Sequence, residues 1–268
     1  MNRFLLLSTA LFPLIGVHNH ISAKDNRPNI ILFMVDDMGW QDTSLPFWKE
    51  KTPLNRRYHT PNMERLAQMG AKFTSAYACS ISSPTRCSLM TGTNQARHRV
   101  TNWTFGYNSS TDAQDPDLDM PLWNVNGIQP VGGIERSYEA TSFVQILKQN
   151  GYHTIHCGKA HFCSQNTPAA DPLKYGFEVN IAGHAAGGLA SYLGEQRYGH
   201  DKNGKPVSGF AIPGLEAYWD TDVFVTEALT REAIKALDKA RSQDYPFFLY
   251  MAHRSEEHTS ELQSRITI

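Results

Sequence analysis

A short string of the sequence combines a hydroxyl with a cation at a spacing that suits an anionic substrate. Ser82 opens the pattern Ser82-x-Pro84-x-Arg86, and Pro84 fits the first turn of a helix, where its missing N–H costs nothing. A helix N-terminus presents unpaired N–H groups to an anion, and Arg86 follows Ser82 by about one helical turn. The pattern predicts an anion site around Ser82. A helix cap, which Ser83 would supply equally well, is the plainer alternative.

Two adjacent carboxylates, Asp36 and Asp37, follow an apolar run that spans residues 29–35. If that run is a strand of an α/β sheet, the pair lies beyond its carboxyl end, where sites in such sheets collect. Adjacent carboxylates repel each other, a bound cation relieves the repulsion, and oxygen ligands suit calcium or magnesium. The pair predicts a metal site, and two solvated turn aspartates are the alternative.

Lys159 and His161 stand close together in the string CGKAHF. Taken singly, a lysine is most often at the surface and a histidine is most often structural. Together they offer a cation for an anionic substrate and, if the histidine has a pKa near neutrality, a group that takes up a proton. His184, in the glycine-rich string NIAGHAAGG, is a weaker candidate for substrate contact, and a plain loop histidine is the alternative.

The elements that must position these residues follow from the hydrophobic pattern, which predicts strands alternating with helices. The predicted strands cover residues 29–35, 71–78, 152–156 and 245–252. The predicted helices cover residues 61–69, 84–91, 142–150 and 222–242. The apolar run of the first strand predicts burial on both faces. Residues 101–137 lack a clear period and are predicted to form one irregular insertion. This order predicts an α/β fold with a mainly parallel sheet flanked by helices.

In sequence order, these strings resemble the motifs of the sulfatase family: an Asp pair after the first strand, Ser-x-Pro-x-Arg, Gly-Lys-x-His and a later buried strand. The resemblance covers residues 27–253 and implies an alkaline-phosphatase-like fold. It implies that Ser82 is oxidised after synthesis to formylglycine, as in the serine-type members of the family. It also implies that Asp36, Asp37 and the modified Ser82 are ligands of a calcium ion, with magnesium as the other metal of suitable chemistry.

The same resemblance implies roles for the remaining candidates in the hydrolysis of a sulfate ester. Arg86 and the calcium ion would lower the pKa of one hydroxyl of the hydrated formylglycine, and Lys159 would contact the sulfate. His161 would take the proton of the second hydroxyl, and the loop of His184 would reach the substrate. The implied partners are a sulfated carbohydrate substrate and the maturation enzyme that makes formylglycine.

Some family residues have no counterpart in this sequence, namely the later metal ligands, a histidine that protonates the leaving alcohol and a lysine that grips sulfate. We therefore expect residues 24–253 to form a catalytic domain that is incomplete at its C-terminus. Residues 254–264, RSEEHTSELQS, resemble a translated sequencing adapter, so residues 254–268 are expected to be a non-native tail, with a genuine polar helix as the alternative.

Two other functions remain open at this point. One is a metal-dependent phosphatase or phosphodiesterase of the same superfamily, with unmodified Ser82 as the direct nucleophile; the scarcity of zinc ligands near the Asp pair argues against it. The other is a non-catalytic glycan-binding relative that keeps the fold. The mass of the Ser82 peptide separates the first of these from a formylglycine enzyme.

Composition and the N-terminus set the broader limits. The 268 residues carry a net charge of −1, which gives no argument for nucleic acid or an anionic membrane as a partner. Residues 1–23 have the basic start, apolar core and small-residue end of a secretory signal peptide, so we expect a periplasmic or secreted protein. No later run is apolar for long enough to predict a membrane span. The pairing of the four cysteines is left open.

Overall fold

Strands and helices alternate along the part of the chain that the structure describes. The computed structural model describes residues 27–112, 115–118, 121, 123–243 and 245–254. The predicted signal peptide, residues 1–23, lies outside the described residues, and so does the predicted tail, residues 254–268, apart from its first residue, Arg254. The strands are β1 (Ile30–Val35), β2 (Ile128–Gln129), β3 (Tyr138–Glu139), β4 (His153–Gly158), β5 (Val179–Ile181) and β6 (Phe247–His253). The α-helices are α1 (Pro61–Met69), α2 (Ser82–Thr91), α3 (Gln95–His98), α4 (Phe143–Gln149) and α5 (Val225–Ser242).

The main sheet contains four parallel strands in the order β1-β6-β4-β5, and β2 pairs with β3 in a separate short ladder. All four carboxyl ends of the main sheet therefore lie along one edge. The predicted α/β class with a mainly parallel sheet is confirmed. None of the helices within the described ranges has the length and hydrophobicity needed to cross a lipid bilayer.

Both faces of the central strand β6 are buried, and each faces a different hydrophobic cluster. Phe248, Tyr250 and Ala252 join the cluster that α2 and α4 cover. Phe247, Leu249 and Met251 alternate with them and join the cluster that α5 covers. The continuous apolar run of this strand thus has the structure expected of a parallel strand between two helical layers.

The prediction that β1 is buried on both faces is wrong. Leu32 and Met34 pack against the α2 and α4 side, but Ile31 and Phe33 on the opposite face are 53% and 57% exposed. The reason is position, because β1 is the edge strand of the described sheet, and α5 packs against β4, β5 and β6 on that side.

The predicted strand over residues 71–78 is also absent. This segment is exposed and irregular, and Phe73 and Tyr77 both point into solvent. A strand is stabilised by pairing with a neighbour, and no strand in the described ranges pairs with these residues. The remaining predicted strands and the predicted helices are present, with ends that differ by a few residues at most.

Candidate active site

Two strand ends and one helix start bring the charged residues of the sequence motifs together. Asp36 directly follows β1, Lys159 directly follows β4, and Ser82 is the first residue of α2. The amino group of Lys159 donates to Asp36 Oδ2 and to Ser82 Oγ, the latter at 3.0 Å. Arg86 Nη2 donates to Asp36 Oδ1 at 2.9 Å, and Arg86 Nη1 lies 3.4 Å from the carbonyl oxygen of Ser82. The spacing of Ser82 and Arg86 thus does place the guanidinium back at the helix start.

The carboxylate of Asp36 forms ion pairs with two buried cations at once. Asp36, Arg86 and Lys159 are all less than 10% exposed. Burial opposes ionisation of Asp36, but the attraction of Arg86 and Lys159 outweighs it and holds the pKa of this carboxyl below its ordinary value. Burial, together with repulsion by Arg86, lowers the pKa of Lys159 despite the attraction of Asp36. At neutral pH we assign one anion and two cations, which leaves this buried triad with a net positive charge.

The hydroxyl of Ser82 is not used as a helix cap. The cap position of α2 is Ile81, no side chain accepts there from the first turn, and the Ser82 hydroxyl instead accepts from Lys159. The hydroxyl of the neighbouring Ser83 is also turned elsewhere, toward Thr104. The oxygen of Ser82 is therefore held at a positively charged helix start by a lysine.

A glycine at the end of β4 sets the path of the chain into Lys159. Gly158 has a φ of +101°, and a Cβ at this position would lie 2.0 Å from the carbonyl oxygen of Ala252 on β6. The next amide, that of Lys159, donates to the same oxygen at 2.9 Å. Only glycine allows this close approach of the two strands, which fixes where the lysine side chain begins.

His161 is buried and neutral. Its Nε2 lies 2.8 Å from the carbonyl oxygen of Thr104, and its backbone has a φ of +50°. Burial, followed by repulsion from Lys159 and Arg86, places the pKa of His161 well below its ordinary value. The condition of a pKa near neutrality is therefore not met, because the neighbouring cations of the triad add to the cost of burial.

An open cleft of about 300 Å³ exposes part of this arrangement to solvent. Ser82, Lys159 and His161 line it, whereas Arg86 and Asp36 lie behind its wall. Asp37, which has a φ of +54°, also lines it. The other lining residues are Ile81, Trp103, Gly187, Gly188 and Phe210. The cleft can therefore present a hydroxyl, a cation and an imidazole to one bound molecule.

His184 is not brought to this cleft. Its Nδ1 accepts from the amide of Ala186 at 3.2 Å, and its carbonyl oxygen accepts from the amide of His161. Burial and the positive charge of Arg254 lower the pKa of His184 to about 3. The interactions of His184 are those of a loop histidine that supports the backbone next to His161, and it is absent from the lining of the cleft.

Arg254 packs behind the cleft, at the end of β6. It is 5% exposed, and its guanidinium donates to backbone carbonyls of the glycine-rich loop, including those of Ala186 and Gly188 at 3.2 and 3.1 Å. Burial and repulsion by Arg86 lower the pKa of Arg254 to about 10. Arg254 thus ties this loop to the sheet.

Comparison with protein families decides the assignment of the chain. A family model described as Sulfatase matches residues 28–260. The chain belongs to the sulfatase family. The matched range includes both strand ends, the start of α2 and the loop of His161, so every residue that lines the cleft falls within the sulfatase match.

Known sulfatases are similar over most of this chain. A sulfatase of Formosa agariphila is 31% identical over 188 residues, which cover 68% of this chain and 31% of that protein. The N-acetylgalactosamine-6-sulfatase of Mus musculus is 26% identical and the arylsulfatase of Klebsiella aerogenes is 25% identical, covering 84% and 88% of this chain and 39% and 44% of those proteins. This sulfatase chain thus spans less than half the length of these curated relatives.

Solved sulfatase structures share the fold. The structure of Ps i-CgsB in complex with k-i-k-neocarrahexaose is 26% identical to this chain and superposes with a TM-score of 0.56. The superposition covers 88% of this chain and 46% of that protein. The PsFucS1 sulfatase from Pseudoalteromonas sp. is 19% identical, with a TM-score of 0.51 over 86% of this chain and 44% of that one.

The described residues of this sulfatase do not by themselves fit a calcium ion. Calcium takes six to eight oxygen ligands. No group of three or more His, Cys, Asp and Glu side chains is placed to hold a metal anywhere in the described ranges. Both carboxylate oxygens of Asp36 are already engaged, by Arg86 and by Lys159. Asp36 and Asp37 can contribute at most part of a coordination shell, and a cation there would compete with Lys159 for Asp36.

Four residues of the cleft region fall outside the sequence predictions. Thr104 contacts His161, and Ile81, Trp103 and Phe210 line the cleft. Trp103 and Thr104 belong to the segment predicted as an irregular insertion, and Phe210 lies in a loop. Irregular segments have no hydrophobic period, so only the aromatic pair of Trp103 and Phe105 within a polar stretch could have drawn attention to them.

Proposed function

We propose that the protein of which this chain is part hydrolyses sulfate esters at Ser82. The observation that carries the proposal is the convergence of Lys159, Arg86 and the start of α2 on Ser82 at the wall of an open cleft. Two cations and unpaired helix N–H groups stabilise the negative charge that develops on a sulfate during transfer. Membership of the sulfatase family and the named activities of its relatives support the same reaction.

We further propose that Ser82 is converted to formylglycine by a dedicated maturation enzyme. The hydrated aldehyde supplies two hydroxyls on one carbon, of which one displaces the alcohol from sulfur and the other later releases the sulfate. An unmodified serine would stay sulfated after the first step, so turnover would require a separate hydrolysis. The exposure of Ser82 to the cleft is compatible with this chemistry.

The proposed role of each side chain around position 82 follows from where it lies relative to the cleft. Lys159 lines the cleft and donates toward Ser82 Oγ, so we assign it to the sulfate oxygens and to the reacting hydroxyl. Arg86 is 1% exposed and lies behind the wall, so it acts by holding Asp36 and the first residue of α2. His161 lines the cleft in neutral form, and a neutral imidazole can accept a proton.

For the calcium or magnesium ion that is part of the proposal, we name only the residues that would bind it. Asp36, Asp37 and the modified Ser82 would supply oxygen ligands, which match the preference of both metals. The rest of the shell would have to come from outside the described residues. Asp36 could join such a shell only by giving up its hydrogen bond with Lys159, the residue that we assign to sulfate.

We propose a sulfated carbohydrate as the substrate. Trp103 and Phe210 line the cleft and give it an apolar wall beside the polar end at Ser82. Phe105 stacks on Phe210 with ring centroids 4.6 Å apart and holds that ring in place. An apolar wall next to a cation suits a molecule with a flat carbon face and a charged group, as a sulfated sugar has. The glycan named for Ps i-CgsB supports the same class.

Mass spectrometry of the Ser82 peptide tests the proposal most directly. The full-length protein should be produced with and without a formylglycine-generating enzyme, and a sulfated monosaccharide and an aryl sulfate offered as substrates. We expect the peptide to lose two hydrogens and sulfate release to appear only in the matured form. The Ser82→Ala variant is the matched control and should stay inactive under both conditions. Sulfate release by a protein with unmodified Ser82 would refute this scheme.

The hydrogen bond from Lys159 to Ser82 favours one rival activity. In a phosphatase or phosphodiesterase, this hydrogen bond would orient the hydroxyl of an unmodified Ser82 for attack on phosphorus. An unmodified peptide that becomes phosphorylated on Ser82 by a phosphate ester would establish this rival. Glycan binding without hydrolysis of either ester would instead indicate a non-catalytic relative.

We also propose that the protein is exported, because residues 1–23 match a secretory signal. Fractionation of cells that express the gene with and without these residues tests this. Export should place the shortened mature chain outside the cytoplasm, and equal distribution of both forms would contradict it.

A further inference from the structure

A set of buried hydrogen bonds joins α2 to His161 through Thr104. Ser83 Oγ accepts from the amide of Thr104 at 3.0 Å and lies 3.2 Å from Thr104 Oγ1. The carbonyl oxygen of Thr104 then lies 2.8 Å from His161 Nε2. All three residues are at most 3% exposed. The Ser83 hydroxyl is therefore part of the support of the imidazole, although it never touches it.

The contact with Thr104 determines which ring nitrogen of His161 carries hydrogen. A carbonyl oxygen can only accept, so Nε2 must be the donor and must be protonated. In a neutral ring Nδ1 is then bare and keeps its lone pair. Nδ1 has no hydrogen-bond partner within the described part of the chain. While nothing is bound beside Nδ1, a doubly protonated ring would leave a buried N–H unpaired there, and the burial of His161 near two cations disfavours that form. The resting ring is therefore neutral, and Nδ1 takes up a proton only when a bound group pairs with the N–H that results.

A glycine of the cleft wall packs directly against Nδ1, which is itself buried. A Cβ on Gly187 would lie 2.3 Å from His161 Nδ1, so any other residue would displace the ring. Gly187 and His161 both line the cleft that contains Ser82. The bare nitrogen therefore lies on the side of His161 that meets Gly187, and the protonated one lies on the side of Thr104.

We propose that Ser83 is a positioning residue, which anchors Thr104 so that its carbonyl holds His161 in the Nε2–H form with Nδ1 as the proton acceptor. Residues 101–105 have no regular secondary structure, so the bond of the Thr104 amide to Ser83 ties this segment to α2. The link to proton transfer rests on the proposed sulfatase function, whereas the tautomer and its dependence on Ser83 do not.

Nitrogen NMR of the imidazole rings tests the tautomer in this chain as it stands. Long-range proton–nitrogen spectra of the ¹⁵N-labelled 268-residue chain distinguish a protonated ring nitrogen from a bare one, and His161→Gln identifies the signals of His161. We expect a protonated Nε2 and a bare Nδ1 in the unsubstituted chain. A protonated Nδ1 would overturn the proposal, whatever the variants do.

The role of Ser83 is tested by removing its hydroxyl. In Ser83→Ala we expect a mixture of the two tautomers in place of the single Nε2–H form. Ser142→Ala is the matched control, because Ser142 is also fully buried and its hydroxyl caps α4 without touching His161. If Ser83→Ala does not fold, Ser83→Cys keeps a weak acceptor and should give a smaller admixture. An unchanged single tautomer in the folded variant would overturn the role of Ser83.

The full-length matured protein gives the second readout. We expect Ser83→Ala to lower kcat for an aryl sulfate about tenfold with little change in KM. The loss is smaller than the full rate contribution of a general base, because His161 is still present and is only less well oriented. Failure of the matured parent to release any sulfate would refute the proposed function and leave the NMR result standing. A wild-type kcat in Ser83→Ala would refute the positioning role alone.

Discussion

Asp36 is the residue on which the charges of the cleft depend. Its carboxylate is the ion-pair partner of both Arg86 and Lys159, and all three side chains are buried. A buried pair adds little net stability compared with apolar residues of the same shape, but removing one partner leaves an uncompensated charge in a medium of low polarity. Because Asp36 is the ion-pair partner of two such charges, its loss leaves both Arg86 and Lys159 without a counter-charge.

We predict that Asp36→Asn destabilises the chain by about 3–5 kcal/mol, because it leaves Arg86 and Lys159 facing each other without an anion. Urea unfolding at pH 7 measures this loss. The matched control is Asp37→Asn, which changes an exposed carboxylate one residue away and should cost less than about 1 kcal/mol. Equal losses in the two variants would show that the triad does not hold these charges in solution.

His156 gives the chain a sensitivity to acid. It is fully buried on β4 between the rings of Phe162, Phe177 and Tyr250, and burial and the charge of Arg254 lower its pKa to about 3. Because this value lies below the unfolded one of about 6.5, the unfolded chain takes up the proton first. The stability that neutral His156 permits is therefore complete above about pH 6.5 and is lost progressively as the pH falls.

We predict that His156→Leu removes about 1 kcal/mol of the stability difference between pH 7 and pH 5.5, because a leucine binds no proton in either state. Urea midpoints of parent and variant at the two pH values measure this. His59→Asn, at an exposed histidine, is the control and should leave the pH dependence of the parent unchanged. The same pH dependence in His156→Leu would mean that other groups produce it.

At the scale of elements, the cleft depends on how closely β4 and β6 approach each other at their carboxyl ends. Gly158 is the point of contact, because a side chain there would collide with the carbonyl of Ala252. Gly92, after α2, also has a positive φ, of +66°, but open space surrounds its Cβ position. Substituting Gly92 therefore introduces backbone strain alone, whereas substituting Gly158 introduces both strain and a collision.

We predict that Gly158→Ala costs about 3 kcal/mol or more, since it combines strain with a clash against backbone that cannot move aside. Gly92→Ala should cost about 1 kcal/mol, from strain alone. Urea unfolding measures both. Gly158→Ala should also abolish sulfate release by the matured full-length protein, because Lys159 is displaced. Similar losses of stability in the two variants would contradict the collision at β4.

The elements differ in how far their sequence predicts them. β6 and α5 were predictable because a run buried on both faces and an amphipathic helix each have a clear pattern. The proximity of Asp36 and Lys159 was predictable as well, since the carboxyl ends of parallel strands share one edge. The contact of Thr104 with His161 was not, because an irregular segment finds its place through tertiary hydrogen bonds. The residues 71–78 have the alternation of a strand but no described partner to pair with.

At the scale of the whole molecule, the described residues leave one face of the edge strand β1 uncovered. Ile31, Phe33 and Val35 form an apolar row along the outer face of the edge strand β1, and all three are at least 40% exposed. An edge strand with an apolar face is prone to associate with other chains, because both its backbone groups and its side chains lack cover. The isolated chain should therefore associate through this face.

We predict that Phe33→Lys lowers the average mass of the chain in sedimentation experiments at high protein concentration. The lysine places a charge in the middle of the apolar row, and its effect on the free energy of unfolding should stay within about 0.5 kcal/mol because the site is exposed. Leu66→Lys is the control, at an apolar side chain of α1 that is 70% exposed and distant in sequence from β1. Equal masses for both variants would exclude β1 as the contact.

The order of strands in the sheet has a consequence for synthesis on the ribosome. β6 lies between β1 and β4, yet it is the last of the three to be made, and Asn29 bonds to Phe247 across 218 positions of sequence. The earliest strand therefore has to wait until more than 200 further residues have been made before it can pair with β6. Contacts of such long range fold slowly. Until β6 has been made, the apolar side chains of β1 must be shielded from other chains by a molecular chaperone or by earlier parts of the same chain.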